Sequence, residues 1–156
     1  MASIKEAFGT ADQTLTITLA SLASATAKES TAIDNSSNLY TDAFVHAVVV
    51  MGSSTPSSDK SVYFYVWGNT GGTTYPEGIT GSNATYSIKS PCNLKLAAVI
   101  NGTTASETLG CNFSVARCFG GILPAKWGVV VYNVTGQALA ASGNAIYYQG
   151  VYATVA

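Results

Sequence analysis

Residues 60–67, Lys-Ser-Val-Tyr-Phe-Tyr-Val-Trp, decide how this chain folds. In an extended backbone successive side chains point to opposite sides, so Val62, Phe64 and Val66 share one face and Tyr63, Tyr65 and Trp67 the other. β-Branched and aromatic residues favour that conformation, and the stretch is bounded by turn signals, Pro56 among serines before it and Gly68 after it. A row of three aromatics on one side can be core, cross-strand packing or a binding platform.

The same period of two recurs on either side. Leu15, Ile17 and Leu19 alternate with Thr14, Thr16 and Thr18, the pattern of a half-buried strand. From Asn38 to Met51 both faces are apolar, with Phe44, His46, Val48 and Val50 against Val45, Ala47, Val49 and Met51, which suggests a central strand covered on each side. Further strands fit Ala84 to Ile88, Asn93 to Ile100, Thr108 to Val115, Trp127 to Val134 and Ile146 to Val155, and Asn101-Gly102 reads as a hairpin turn. About eight strands at this spacing predict an all-β sandwich or barrel in one domain, and no helix of ordinary length is expected. Ile4, Ala7 and Phe8 have the spacing of one amphipathic helical turn, too short to stand alone. Residues 1–12 therefore read as an N-terminal arm, and 13–156 as the sandwich.

Composition narrows the function. Only 10% of the 156 residues are charged and the formal net charge is -1, so no basic stripe is available for nucleic acid. Ala, Gly, Ser and Thr together supply 72 residues, a nearly neutral surface that suits close packing in an assembly. The longest apolar stretch, Ala43 to Met51, falls far short of the ~20 residues of a transmembrane helix. Lys5 beside Glu6, followed by alternating Thr and Leu or Ile, gives no uninterrupted apolar run, so no signal peptide is expected.

Catalytic chemistry has few sources. His46 is the only histidine, mid-strand among apolar residues, and the eight carboxylates are scattered singly. Cys92, Cys111 and Cys118 form no C-x-x-C and read as buried small hydrophobes, with one disulfide and a spare thiol as the alternative. The Gly68 to Asn83 loop has scattered glycines and no following Lys-Ser/Thr, so it is not a phosphate-binding loop. Five Asn-x-Ser/Thr sequons, at Asn35, Asn83, Asn101, Asn112 and Asn133, are unremarkable in so Ser- and Thr-rich a chain. No enzymatic activity, cofactor or metal is expected.

Several segments together resemble small virion proteins of tailed bacteriophages. They are Glu29-Ser-Thr-Ala-Ile-Asp, Tyr40-Thr-Asp-Ala, Asp59-Lys-Ser-Val-Tyr-Phe-Tyr-Val, Ser90-Pro-Cys-Asn-Leu-Lys-Leu, Phe119-Gly-Gly-Ile-Leu-Pro-Ala-Lys-Trp-Gly-Val-Val-Val and Tyr148-Gln-Gly-Val-Tyr-Ala-Thr-Val. Proteins of that kind are often capsid decoration or cement proteins, and the resemblance implies a jelly-roll-like sandwich on the capsid exterior. Its partner would be the major capsid protein, and a homo-oligomer, in particular a trimer at local threefold axes, would match such a site. Ile4 and Phe8 are the expected anchors of the arm on a neighbouring subunit, and Tyr63, Tyr65 and Trp67, with the final-strand tyrosines, the expected core or subunit contacts. The competing expectations are a carbohydrate-binding sandwich, in which Trp67, Tyr75 and Trp127 would stack on sugars, and a tail or neck structural protein.

Overall fold

The computed structural model describes residues 3–57 and 59–155. Eleven strands are present among them: β1 (Ile4–Phe8), β2 (Gln13–Thr14), β3 (Thr26–Glu29), β4 (Ile33–Asp34), β5 (Asp42–Val50), β6 (Ser61–Asn69), β7 (Ala84–Tyr86), β8 (Lys95–Asn101), β9 (Thr108–Ser114), β10 (Lys126–Asn133) and β11 (Ala145–Val155). They form two antiparallel sheets. Sheet I runs β1-β11-β5-β9, with β2 also on β11, and sheet II runs β7-β3-β10-β6-β8, with β4 also on β10. The protein is an all-β sandwich.

The main core lies between the sheets, where the period-two pattern sends one face of each strand. Val62, Phe64 and Val66 of β6, Trp127, Val129 and Val131 of β10, Ala43, Val45, Ala47 and Val49 of β5, and Ile146 and Tyr148 of β11 meet there. Leu15 and Leu19 enter from the edge, although the expected strand over Thr14 to Leu19 makes a ladder only at Thr14. A second cluster sits on the outer side of sheet II. There the excursion between β6 and β8 folds back, and Ile79, Tyr86 and Leu94 close over Trp67, Ala27 and Val130.

Three expectations are corrected. Ile4 to Phe8 is not a helical turn: the segment is a strand paired with β11 from Ile4–Val155 to Phe8–Val151, because the edge of β11 offers alternate residues a cooperative ladder of partners, whereas one isolated helical turn pays the cost of nucleation for a single bond. Met1 and Ala2 of the expected arm lie outside the described residues. Asn101-Gly102 does not close a hairpin. β8 pairs with β6 in sheet II and β9 with β5 in sheet I, so the connection crosses between sheets, with the Gly102 N–H donating to Lys60 O. Finally, β5 is central in its sheet but covered on one side only, since Phe44 and His46 are exposed.

One short helix, α1 (Val115–Cys118), follows β9, with the Ser114 side chain accepting from the Arg117 N–H as its N-cap. The three cysteines are free and half-buried.

Candidate interaction surfaces

In an antiparallel sheet, directly opposed residues share a face, so the register of sheet I fixes its outer surface. Tyr147, His46 and Asn112 form one row across β11, β5 and β9, and Gln149, Phe44 and Ser114 the next. Farther along β11 the same face carries the pairs Phe8–Val151, Glu6–Ala153 and Ile4–Val155. Val151 is buried among its neighbours, but much of the face is open: Ile4 is 78% exposed, Phe8 63%, Phe44 46% and Val155 72%. The end of this sheet is a two-stranded ribbon, with Ile4 to Phe8 and Tyr152 to Val155 exposed along most of their length.

Charge on this surface is sparse. Asp42 is turned to structural use, its carboxylate accepting from the Ser114 hydroxyl at 2.6 Å and the Ala116 N–H at 2.8 Å. His46 Nδ1 lies 2.6 Å from Asn112 Oδ1, and Gln149 Nε2 donates to Gly9 O at 2.9 Å. Asp12, Phe44, His46, Asn112, Tyr147, Tyr148 and Gln149 line a shallow cavity of about 240 Å³. His46 thus belongs to the outer surface, a position its apolar neighbours in sequence did not reveal.

The outer face of sheet II separates the expected aromatic row into two fates. Tyr63 and Tyr65 stay half-exposed, opposite Val99 and Leu96 of the edge strand β8, which are themselves exposed. The two tyrosine rings stack on each other at 6.3 Å between centroids, and Tyr63 also meets Tyr132 at 6.4 Å. The Tyr63 hydroxyl donates to Asp59 Oδ2 at 2.8 Å, which holds its proton on and raises its pKa. Trp67, of the same parity, is buried beneath the β6–β8 excursion, its ring edge-on to Tyr75 at 5.3 Å. It is therefore not available to a partner, which corrects its place among the contact residues.

The aromatics expected to stack on sugars do not form a platform. Trp67 and Trp127 are both buried, Trp127 in the inter-sheet core against Tyr148 at 5.4 Å, and Tyr75 is engaged by Trp67. Their place is set by size. The two largest side chains give the greatest return on burial, and alternation on a strand cannot distinguish a covered outer face from an open one.

The carboxylates are mostly structural. Glu29, 1% exposed, accepts from the Thr80 N–H and hydroxyl and the Gly81 N–H, fastening the excursion to β3. Glu77 holds Asn93 through its N–H and its amide, and Glu107 holds the Thr103 and Thr104 N–H groups. Among the described residues no group of three His, Cys, Asp or Glu stands close enough to hold a metal, and no helix is long and apolar enough to cross a membrane. Compared with protein-family models and with curated sequences, the chain matches none.

Proposed function

We propose that this protein is a virion structural protein of the capsid-decoration type, which binds the exterior of a bacteriophage head and bridges neighbouring copies of the major capsid protein. The observation that carries the reading is the exposed apolar ribbon, in which Ile4, Phe8 and Val155 stand on one face with only Glu6 as a charge among them. Exposed apolar groups gathered on one face mark a protein interface, whereas singly scattered ones need no explanation. Beyond Val151 and the contact of Tyr152 with Tyr40, this ribbon is uncovered, and a two-stranded ribbon is marginal by itself and gains order from whatever it lies against.

The strand order supports the jelly-roll form of the sandwich. Reading β1 and β2 as one strand, and likewise β3 and β4, eight strands fall in two four-stranded sheets, with β7 as an addition, and successive strands change sheet at every step except from β6 to β8. Such a domain offers two broad faces and two rims, suited to filling a gap between neighbouring subunits. The low surface charge favours close association, and a trimer on a threefold site of the shell is the assembly proposed here.

The mechanism is one of linkage. A protein that binds only the assembled shell stabilises it in proportion to the logarithm of its free concentration over its dissociation constant. The test is co-sedimentation with heads that lack the protein, combined with the heads' resistance to heat. Saturable binding with raised heat resistance is the expected result. The double variant Ile4→Ser, Phe8→Ser should remain folded and weaken binding by roughly a hundredfold, from about 3 kcal/mol of lost apolar burial. Absence of binding by the unaltered protein would overturn the reading, and undiminished binding by the variant would remove the ribbon from it.

A further inference from the structure

We propose that the hollow around His46 on the outer face of sheet I is a binding site for an uncharged sugar ring, separate from the exposed ribbon and from the buried tryptophans. Its walls combine two kinds of surface that such a ring requires. Phe44 and Tyr147 are aromatic, and Phe44 has nearly half of its surface open to solvent. Asp12, His46, Asn112 and Gln149 supply polar atoms around them. A pyranose presents C–H groups on its faces and hydroxyls at its edges, and pockets that hold such ligands set a few fixed polar groups against aromatic rings.

The polar groups are held while keeping capacity to spare. The His46 Nδ1 contact with Asn112 Oδ1 assigns the ring proton to Nδ1, because a carbonyl oxygen only accepts, and leaves Nε2 as an acceptor in the neutral ring. Asn112 Nδ2 retains both of its donors, and Gln149, tied through Nε2 to Gly9 O, retains Oε1 as an acceptor. The Asp12 carboxylate and the Tyr147 hydroxyl carry no hydrogen bond to any described residue. Donors and acceptors thus stand side by side on positions fixed by cross-strand pairing, which matches a hydroxyl that both donates and accepts.

Other occupants fit less well. No lysine or arginine lines the hollow, and Asp12 opposes an anion, so phosphate and carboxylate ligands lack a counter-charge. An apolar protein surface would leave the unpaired amide, imidazole and carboxylate atoms desolvated, at a cost for each. The outer face of sheet II is a poorer candidate for a sugar, because Tyr63 and Tyr65 lie against each other and the Tyr63 hydroxyl is already bonded to Asp59.

The experiment is an NMR titration of isotope-labelled protein with the methyl glycosides of glucose, galactose, mannose and N-acetylglucosamine, and with soluble dextran to separate recognition of a ring from recognition of a polymer. Saturable shifts at residues 44–46, 110–114 and 147–149 are expected with at least one of these probes. Phe44→Ala and Asn112→Ala should each weaken that binding by about tenfold or more, in line with the loss of one stacking or hydrogen-bonding partner, while Tyr63→Ala leaves it unchanged. No saturable shift with any probe would overturn the proposal. So would shifts indifferent to both variants, or concentration-dependent broadening of the same residues without sugar, which would mean that a second copy covers the face. The titration uses the isolated protein, so its failure leaves binding to phage heads untouched.

Discussion

Glu29 is the only carboxylate among the described residues that is fully withdrawn from water, and it survives there because three donors of residues 80–81 meet it. Glu29→Ala removes the acceptor and strands two backbone N–H groups beneath the excursion, so a loss of about 2–4 kcal/mol is expected in urea unfolding. Glu29→Gln keeps one acceptor and should lose less. Gly128 shows a steric constraint of the opposite kind: a Cβ there would collide with the Trp67 ring that lies across β10, and with Ser30 Oγ. Gly128→Ala should cost about 1–3 kcal/mol through overpacking in urea unfolding, with a changed tryptophan emission accompanying the displaced ring. Burial pushes the Cys111 thiol up to about 11, so its alkylation should stay slow at pH 8 and accelerate only towards that value, followed by mass spectrometry of the labelled peptide. Sequence alone described such residues unevenly. The inward set Val62, Phe64 and Val66 follows from alternation, but Tyr63, Tyr65 and Trp67 have identical parity and different burial, because the excursion covers only one end of sheet II.

At the scale of elements, the strands were legible where a segment repeats its period over six or more residues, as β5, β6, β10 and β11 do. Connections were not, because a turn dipeptide records local backbone preference and not the sheet to which the next strand goes. Asn101-Gly102 followed by a strand looks the same whether the chain returns in one sheet or crosses to the other, and here Gly102 crosses where its close packing against Met51 leaves no room for a side chain. The crossing loop is tied by Glu107, whose carboxyl is held below the usual carboxylate range by the Thr103 and Thr104 N–H groups. A depressed folded pKa means that this contribution is present above the unfolded value and is lost as pH falls through the folded one. Glu107→Gln should therefore show a smaller fall in its urea midpoint between about pH 5 and pH 2 than the unaltered protein. The edge strand β1 illustrates the same limit from the other end: Ile4, Ala7 and Phe8 fit a helical period, yet a five-residue segment takes the conformation its partner imposes.

For the whole molecule, the sandwich itself was readable from composition and period, because small, β-branched and aromatic residues with frequent turn signals have few other ways to bury a core. The candidate surfaces were readable only in part. Ile4, Phe8, Tyr63 and Tyr65 are exposed or half-exposed, whereas the hollow around His46 is assembled from three strands and a turn whose meeting no single segment announces. The two sheets also join distant parts of the chain, and sheet I does so in the extreme, since β11 lies between β1 and β5 and pairs with both. During synthesis this order becomes a matter of time. Once β5 has been made, about 95 further residues must follow before β11 begins, an interval of roughly 5–20 s at ~5–20 residues per second. Through that interval β1 has no strand to pair with and β5 has β9 at most, so the nascent chain shows two unpaired apolar edges to its surroundings. Sheet I closes last, and until then its edges are open to the pairing with other chains that a finished sheet excludes.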